Sequence, residues 1–370
     1  MLGVLFRRDN GRCHPFHFFL ARAGRVLVGD ALRRLFVKAF MIDAYGGPAV
    51  ATLRDVADPQ PGRGDLLVEI HAASVNPVDA KIRDGKVKAL IKDRFPLTLG
   101  SDCSGRVIAV GEGVTRFAVG DEIFARLRKD RIGTFAEKCL VDEEYAAKKP
   151  TRLSHVEAAS IPLVGLTAWQ ALLEIGKLER GQRVLIHAGS GGVGTFAIQL
   201  AKSRGAIVAT TVSAKNKALV EKLGADEVVD YRTQRFEDVI APCDVIFDTQ
   251  GGETLERSFR IVKRGGTVVT IGGNPDAKFA KKWGMNFVFV AALAVMMRKV
   301  GRLARETGSH FEYLFMRPDG EALAAIGKLL DEGTIVPVID RTFPFGETKE
   351  ALAYVEGGRS VGKVVITFSR

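Results

Sequence analysis

The stretch VLIHAGSGGVGTFAIQLAK, Val184 to Lys202, constrains the fold of this chain more than any other. A run of apolar and β-branched residues ends in three glycines at G-x-G-x-x-G spacing, Gly189, Gly191 and Gly194, and a helical period follows at once. In the order strand, tight turn, helix, such glycines let backbone N–H groups at the helix N-terminus cradle a pyrophosphate. The plainer reading is a ligand-free turn in a glycine-rich chain, but the presence of both flanking elements favours the phosphate.

The rest of the chain divides around this turn. From Val37 to about Pro162, short segments such as DLLVEIHAASVNP and VGDEIFARL are rich in strand formers and are bounded by Gly, Pro or Asp. From IPLVGLTAWQALLEIGKL onward, helical periods alternate with apolar strands, the pattern of a parallel sheet covered by helices. Strand character returns near the C-terminus, from IVPVIDRTFPF to GKVVITF, and is expected to complete the first unit. The predicted fold class is therefore α/β, with a mainly-β domain over 37–163 and 307–370 enclosing a doubly wound Rossmann domain over 164–306. No internal repeat or low-complexity tract is visible.

Residues 1–36 stand apart, with seven arginines against Asp9 and Asp30 and no Ser or Thr. This resembles a transit peptide in its arginine content, but the compact pattern starts only at Val37. The expectation is an extension outside the fold, with Val37 as the native start. The net charge of +11 gathers here and in residues 276–305 and follows no nucleic-acid module, so no specific nucleic acid is expected as partner. Four scattered cysteines (Cys13, Cys103, Cys139, Cys243) form no C-x-x-C pair, which argues against a disulfide framework and for a reducing, cytoplasmic setting.

The nicotinamide cofactor's identity is normally set about 20 residues past the glycines, where an acid would hold the adenosine ribose. Here the strand AIVATTV runs instead into Ser213, Ala214, Lys215, Asn216 and Lys217. A small, cationic stretch accepts a 2′-phosphate, so NADPH is expected over NADH. These lysines also fit a solvated helix start.

The segment GQRVLIHAGSGGVGTFAIQLAK, with SVNPVDAKIRDG, LGSDCSGRVIAVG, IPLVGLTAWQAL, LGADEVVDY, DVIFDTQGGETLE and the C-terminal VIDRTFPFGETKEALAYVEGGRSVGKVVI, resembles the medium-chain dehydrogenase/reductase family. The similarity is to its quinone oxidoreductase (zeta-crystallin-like) branch, near bacterial NADP-dependent oxidoreductases and plant alkenal/one oxidoreductases, and covers nearly all of residues 37–370. It implies a GroES-like catalytic domain beside the Rossmann domain, with the site between them.

Where zinc-dependent members of the family carry GHE, this chain has Gly100, Ser101 and Asp102, and Asn76 stands in place of the first cysteine ligand. A catalytic zinc needs about three Cys, His or carboxylate ligands, so no metal is expected. Without a Lewis acid, hydride addition to a conjugated C=C or to a quinone is the reasonable chemistry, in an apolar, donor-poor pocket. The resemblance places Asn76 and Lys81 on the loop facing the nicotinamide, as candidate catalytic residues. Asn76 also reads as a turn residue before Pro77, and Lys81 as a surface lysine.

By the same resemblance, Tyr231 and Ser213 meet the 2′-phosphate, where many relatives have a lysine in place of Asn216, with Lys217 as a compensating cation. Thr167, Gly191, Gly192, Val193, Thr249, Gly272, Arg359 and Ser360 correspond to positions that line the cofactor in relatives. The expected substrate is a small apolar enone, enal or quinone, and the expected assembly a homodimer. Zeta-crystallin-type relatives keep open a non-catalytic NADPH-binding protein that contacts RNA or a membrane surface.

The stretch KFAKKWGMNFVFVAALAVMMRKVGRLAR, Lys278 to Arg305, is an apolar run between cationic flanks. It is too short for the about 20 helical residues a bilayer requires. A lobe over the active site, a dimer seam and a weak peripheral membrane contact all fit it.

Overall fold

A computed structural model describes residues 36–88 and 94–369. The extension expected over 1–36 lies, except for Phe36, outside the described residues.

The mainly-β unit is built from β1 (Phe36–Ile42), β2 (Thr52–Ala57), β3 (Asp65–Val75), β4 (Leu97–Thr98), β5 (Asp102–Val110), β6 (Glu122–Arg126), β7 (Lys138–Asp142) and β8 (Ala146–Lys148). The parallel unit follows with β9 (Arg183–Ile186), β10 (Ile207–Val212), β11 (Glu227–Asp230), β12 (Cys243–Asp248), β13 (Val262–Thr270) and β14 (His310–Tyr313), and the chain closes with β15 (Ile339–Pro344) and β16 (Lys363–Thr367). Seven helices bear on the argument: α1 (Pro77–Arg83), α2 (Pro162–Trp169), α3 (Gly192–Ser203), α4 (Ala277–Lys282), α5 (Phe287–Met296), α6 (Arg298–Thr307) and α7 (Gly320–Asp331).

In the first unit, β16 runs antiparallel to β3, pairing Val364 with Val75, so the C-terminus completes the sheet that the N-terminal half begins. The strand order is β15-β16-β3-β5-β6-β8, with β7 also paired to β3, and a small sheet β2-β1-β4 packs beside it. β3 is buried along most of both faces, which explains its near-continuous apolar run.

The second unit is a six-stranded sheet in the order β11-β10-β9-β12-β13-β14, with every pairing parallel. This is the doubly wound order, in which the chain reverses direction of travel between β9 and β12 and opens a crevice at their C-terminal ends. The sheet takes its last strand from His310–Tyr313, past residue 306, where the sequence pattern places its end. That strand is short and follows three helices, so its period is hard to see before it pairs.

One apolar core joins the two units. Phe124 and Ala147 of the β unit pack with Leu166 of α2, Leu323 and Ile326 of α7, and Val184 of β9. The crevice is therefore framed by elements that share a core.

Candidate active site

The glycine turn begins where β9 ends. A side chain at Gly189 would put its Cβ 2.1 Å from Thr210 Oγ1, and one at Gly194 would put it 2.4 Å from the Ala188 carbonyl oxygen. Only glycine lets strand, turn and helix approach this closely. Gly191 caps α3 in an extended conformation, which leaves the first backbone N–H groups of a twelve-residue helix facing the crevice.

Beside the turn lies a cavity of about 420 Å³, lined among others by Ser213, Lys215, Asn216, Tyr231, Arg232 and Arg359. None of its lining residues is an Asp or Glu. Asn216 donates to Ser190 Oγ at 2.9 Å, which ties the end of the second strand's loop to the glycine turn. The Tyr231 ring is half exposed. Ser360 and Gly191 also line the cavity. Arg257 borders it with its charge already engaged by Glu237 at 2.6 Å, and that guanidinium holds the Glu237 carboxyl down at about 2. His187, fully buried between Thr211 Oγ1 and Ser258 Oγ, is pushed down to about 3 by burial and stays neutral.

The remaining expected cofactor residues fall into two groups. Gly192 and Val193 open α3, Gly272 presses against the Gln250 backbone, and Thr249 donates to the His187 carbonyl at 3.1 Å, so all of these border the turn or the switch point. Thr167 is buried and donates to the Leu163 carbonyl at 2.6 Å inside α2. Lys217 lies outside the cavity lining, with its ammonium 3.8 Å from Glu221 one helical turn on. Arg232 was missed in the sequence because it follows the strand-ending Tyr231 with no motif of its own.

Across the crevice, Asn76 is buried between β3 and α1. Its backbone N–H donates to Asp79 Oδ2 at 2.8 Å, its Nδ2 donates to Asp102 Oδ2 at 2.9 Å, and its Oδ1 accepts from Lys363 Nζ at 2.5 Å. The same ammonium reaches the Val75 carbonyl at 3.2 Å. Ser74 donates to Asp102, Ser101 to Asp79, and Arg126 Nε stands 3.7 Å from Asp102 Oδ1. Burial pushes the Asp79 carboxyl up to about 7 and drives both the Lys363 ammonium and the Arg126 guanidinium below their ordinary values.

Lys363 links this network to the glycine turn. A Cβ on Gly192 would lie 2.8 Å from Lys363 Cδ, and Gly362 N–H donates to the Ser190 carbonyl at 2.9 Å. Of this network, sequence reasoning singled out Asn76 and overlooked Lys363, Asp79 and Arg126. Lys363 lies within the GKVVI strand, where its position suggests only strand alternation.

Lys81 does not join the network. It sits exposed in the last turn of α1 and makes no ion pair among the described residues. A further cavity of about 660 Å³ reaches the network at Arg126 and is walled by Lys129, Tyr145, Trp283 and Phe315. Its walls combine rings with several cations, so it is richer in donors than the apolar pocket expected from sequence.

A glycine turn at the switch point of a parallel sheet, faced by a β domain across a crevice, defines a two-domain nucleotide-dependent oxidoreductase. Residues 62–151 match the alcohol dehydrogenase GroES-like domain family, and residues 223–366 match the zinc-binding dehydrogenase family. The chain is 36% identical to the mitochondrial NAD(P)H oxidoreductase RTN4IP1 of Mus musculus over 90% of each chain. It is 34% identical to the 2-methylene-furan-3-one reductase of Solanum lycopersicum over 89% of this chain and 79% of that one. The solved quinone oxidoreductase of Coxiella burnetii superposes with a TM-score of 0.77 at 32% identity, over 90% of this chain and all of the other. The chain belongs to the medium-chain dehydrogenase/reductase family.

Zinc is implied by the name of the second family, and the residues here do not fit it. Asn76, Ser101 and Asp102 come together in the structure, but with the Lys363 ammonium on one side and the Arg126 guanidinium on the other. Two cations at this spot oppose a dication by charge. Among the described residues, no group of three or more His, Cys, Asp or Glu is placed to hold a metal ion.

Proposed function

We propose that this protein is an NADPH-dependent, zinc-independent reductase that passes hydride to the C=C of α,β-unsaturated carbonyls or to quinones. The observation that carries the cofactor reading is the cavity beside the glycine turn, which offers Lys215, Arg232 and Arg359 and no carboxylate. A 2′-phosphate is favoured there by charge and by the hydroxyls of Ser213 and Tyr231, whereas a bare ribose would lack its usual acidic partner.

NADPH, when bound, supplies the hydride from nicotinamide C4. The protein's own part is to hold the turn and the catalytic loop in one register, through Lys363 between Gly192 and Asn76. Conjugate addition suits this site because the charge that develops is spread over an enolate or a quinol oxygen and needs only one or two donors. Carbonyl reduction would localise an alkoxide, which calls for a metal or an equally strong acid. The exposed Lys81 is the unengaged cation nearest in sequence to Asn76, and in this reading it donates to the enolate oxygen while water supplies the proton at the α-carbon.

The test is NADPH consumption with a panel of enones, enals and quinones, followed by product analysis. A saturated ketone or a quinol supports the reading. An allylic alcohol with the alkene intact overturns the chemistry, and tight NADPH binding with no turnover on any member of the panel overturns the enzymatic reading.

A further inference from the structure

Helix α5 has the sequence FVFVAALAVM, with no polar residue on any face. None of its ten residues is buried, and eight are exposed. Phe287 is 84% exposed, Val295 74% and Phe289 52%. A helix that is apolar all round is ordinarily buried in a core or in lipid, whereas the fold half-covers only Val290 and Leu293 of this one and leaves the rest open.

The helices on either side are rooted. In α4, Phe279 and Ala280 are buried, and Phe279 stacks on Trp283 with ring centroids 4.8 Å apart. Trp283 in turn carries Lys129 of the β unit 3.5 Å above its ring. In α6, Val300 packs into the core beneath the parallel sheet. α5 is thus the tip of a three-helix projection whose base is fixed to both units.

The charge around the tip identifies its partner. Lys281, Lys282, Arg298 and Arg305 are exposed on the flanking helices and make no ion pair among the described residues, and Glu306 is the sole acid from 277 to 307. Two copies of this surface would bring like charges together around their apolar tips, whereas an anionic bilayer offers both hydrocarbon for α5 and phosphate for the cations. At 1.5 Å per residue, α5 is about 15 Å long, roughly one leaflet of a hydrocarbon core about 30 Å thick. No helix among the described residues is long and apolar enough to cross a membrane, so the contact would be with one leaflet.

We propose that α5, flanked by the cations of α4 and α6, docks this protein on anionic lipid bilayers, with α5 entering one leaflet. The docking is independent of the reaction proposed above and needs neither cofactor nor substrate.

Co-sedimentation of the full chain with vesicles tests it. Binding to vesicles of phosphatidylcholine with about one-third phosphatidylserine should exceed binding to pure phosphatidylcholine by at least about tenfold at low salt, and should fall as salt shortens the Debye length to about 3 Å near 1 M. Phe287→Ser with Phe289→Ser, both at exposed positions, should abolish the anionic binding and leave the far-ultraviolet spectrum unchanged. A second variant, Lys281→Glu with Arg298→Glu, should abolish it as well. Equal sedimentation with both vesicles, or none with either, overturns the proposal. So does a lipid-free dimer in sedimentation equilibrium that the Phe287/Phe289 variant dissociates, because the occupant of the tip would then be a second copy.

Discussion

The Lys363 ammonium donates to the Asn76 amide oxygen across 2.5 Å, and both residues are buried. Its alkyl chain meanwhile rests against the glycine turn at Gly192, so one side chain spans from that turn to the loop that carries Asn76. The ammonium stands among Asn76, Asp102 and Arg126, and its charge there opposes a metal cation.

Replacing Lys363 with Met removes this donor and leaves the buried Asn76 oxygen unpaired. The expected cost is about 1–3 kcal/mol of stability, read as a lower urea midpoint at an unchanged m-value. A variant as stable as the wild type would show that the network makes no net contribution.

NADPH preference should respond to a single carboxylate. Ser213→Asp places an acid at the rim of a cavity that has none, where it repels a 2′-phosphate and accepts from ribose hydroxyls. The ratio of NADPH to NADH affinity should fall by at least about tenfold, or about 1.4 kcal/mol, in calorimetric titrations. Arg359→Ala should weaken NADPH in the same assay and leave NADH nearly unchanged.

Lys81→Ala should lower kcat/KM for enones about tenfold while NADPH affinity is retained, if its ammonium meets the enolate oxygen. Steady-state kinetics with unchanged kcat/KM would return Lys81 to the solvated surface.

Asp79 makes stability depend on pH in a defined direction. Burial raises its carboxyl to about 7, whereas in the unfolded chain it titrates in the ordinary range near 4. The folded protein therefore holds a proton that the unfolded chain has released across that window. This contribution is fully present below the lower value and is lost as pH rises towards 7. Between pH 5 and pH 8, Asp79→Asn should show a smaller drop in Tm than the wild type, and parallel curves would contradict the assignment.

Exhaustive dialysis against a chelator should leave turnover intact, since among the described residues no group of three or more His, Cys, Asp or Glu is placed to hold a metal, and the cations of Lys363 and Arg126 border Asn76 and Asp102. Lost activity that zinc alone restores would place a metal in the reaction.

The sequence alone determined the parallel sheet, the glycine turn and the acid-free end of the second strand. Each is a local pattern: hydrophobic period, glycine spacing and residue type act over one strand or one helical turn, so they can be read along the chain. Tertiary structure decided the rest. Lys363 and Asn76 are 287 residues apart and meet only because β16 returns to pair with β3, a contact that no local period encodes. Lys217 looked like a phosphate ligand beside Lys215 and Asn216, but the start of its helix carries it towards Glu221 and out of the cavity. The apolar run after Asn286 fitted a lobe over the site, a dimer seam or a membrane contact, and only packing shows that the chain leaves most of it exposed, because burial depends on which surfaces meet and not on how apolar a segment is.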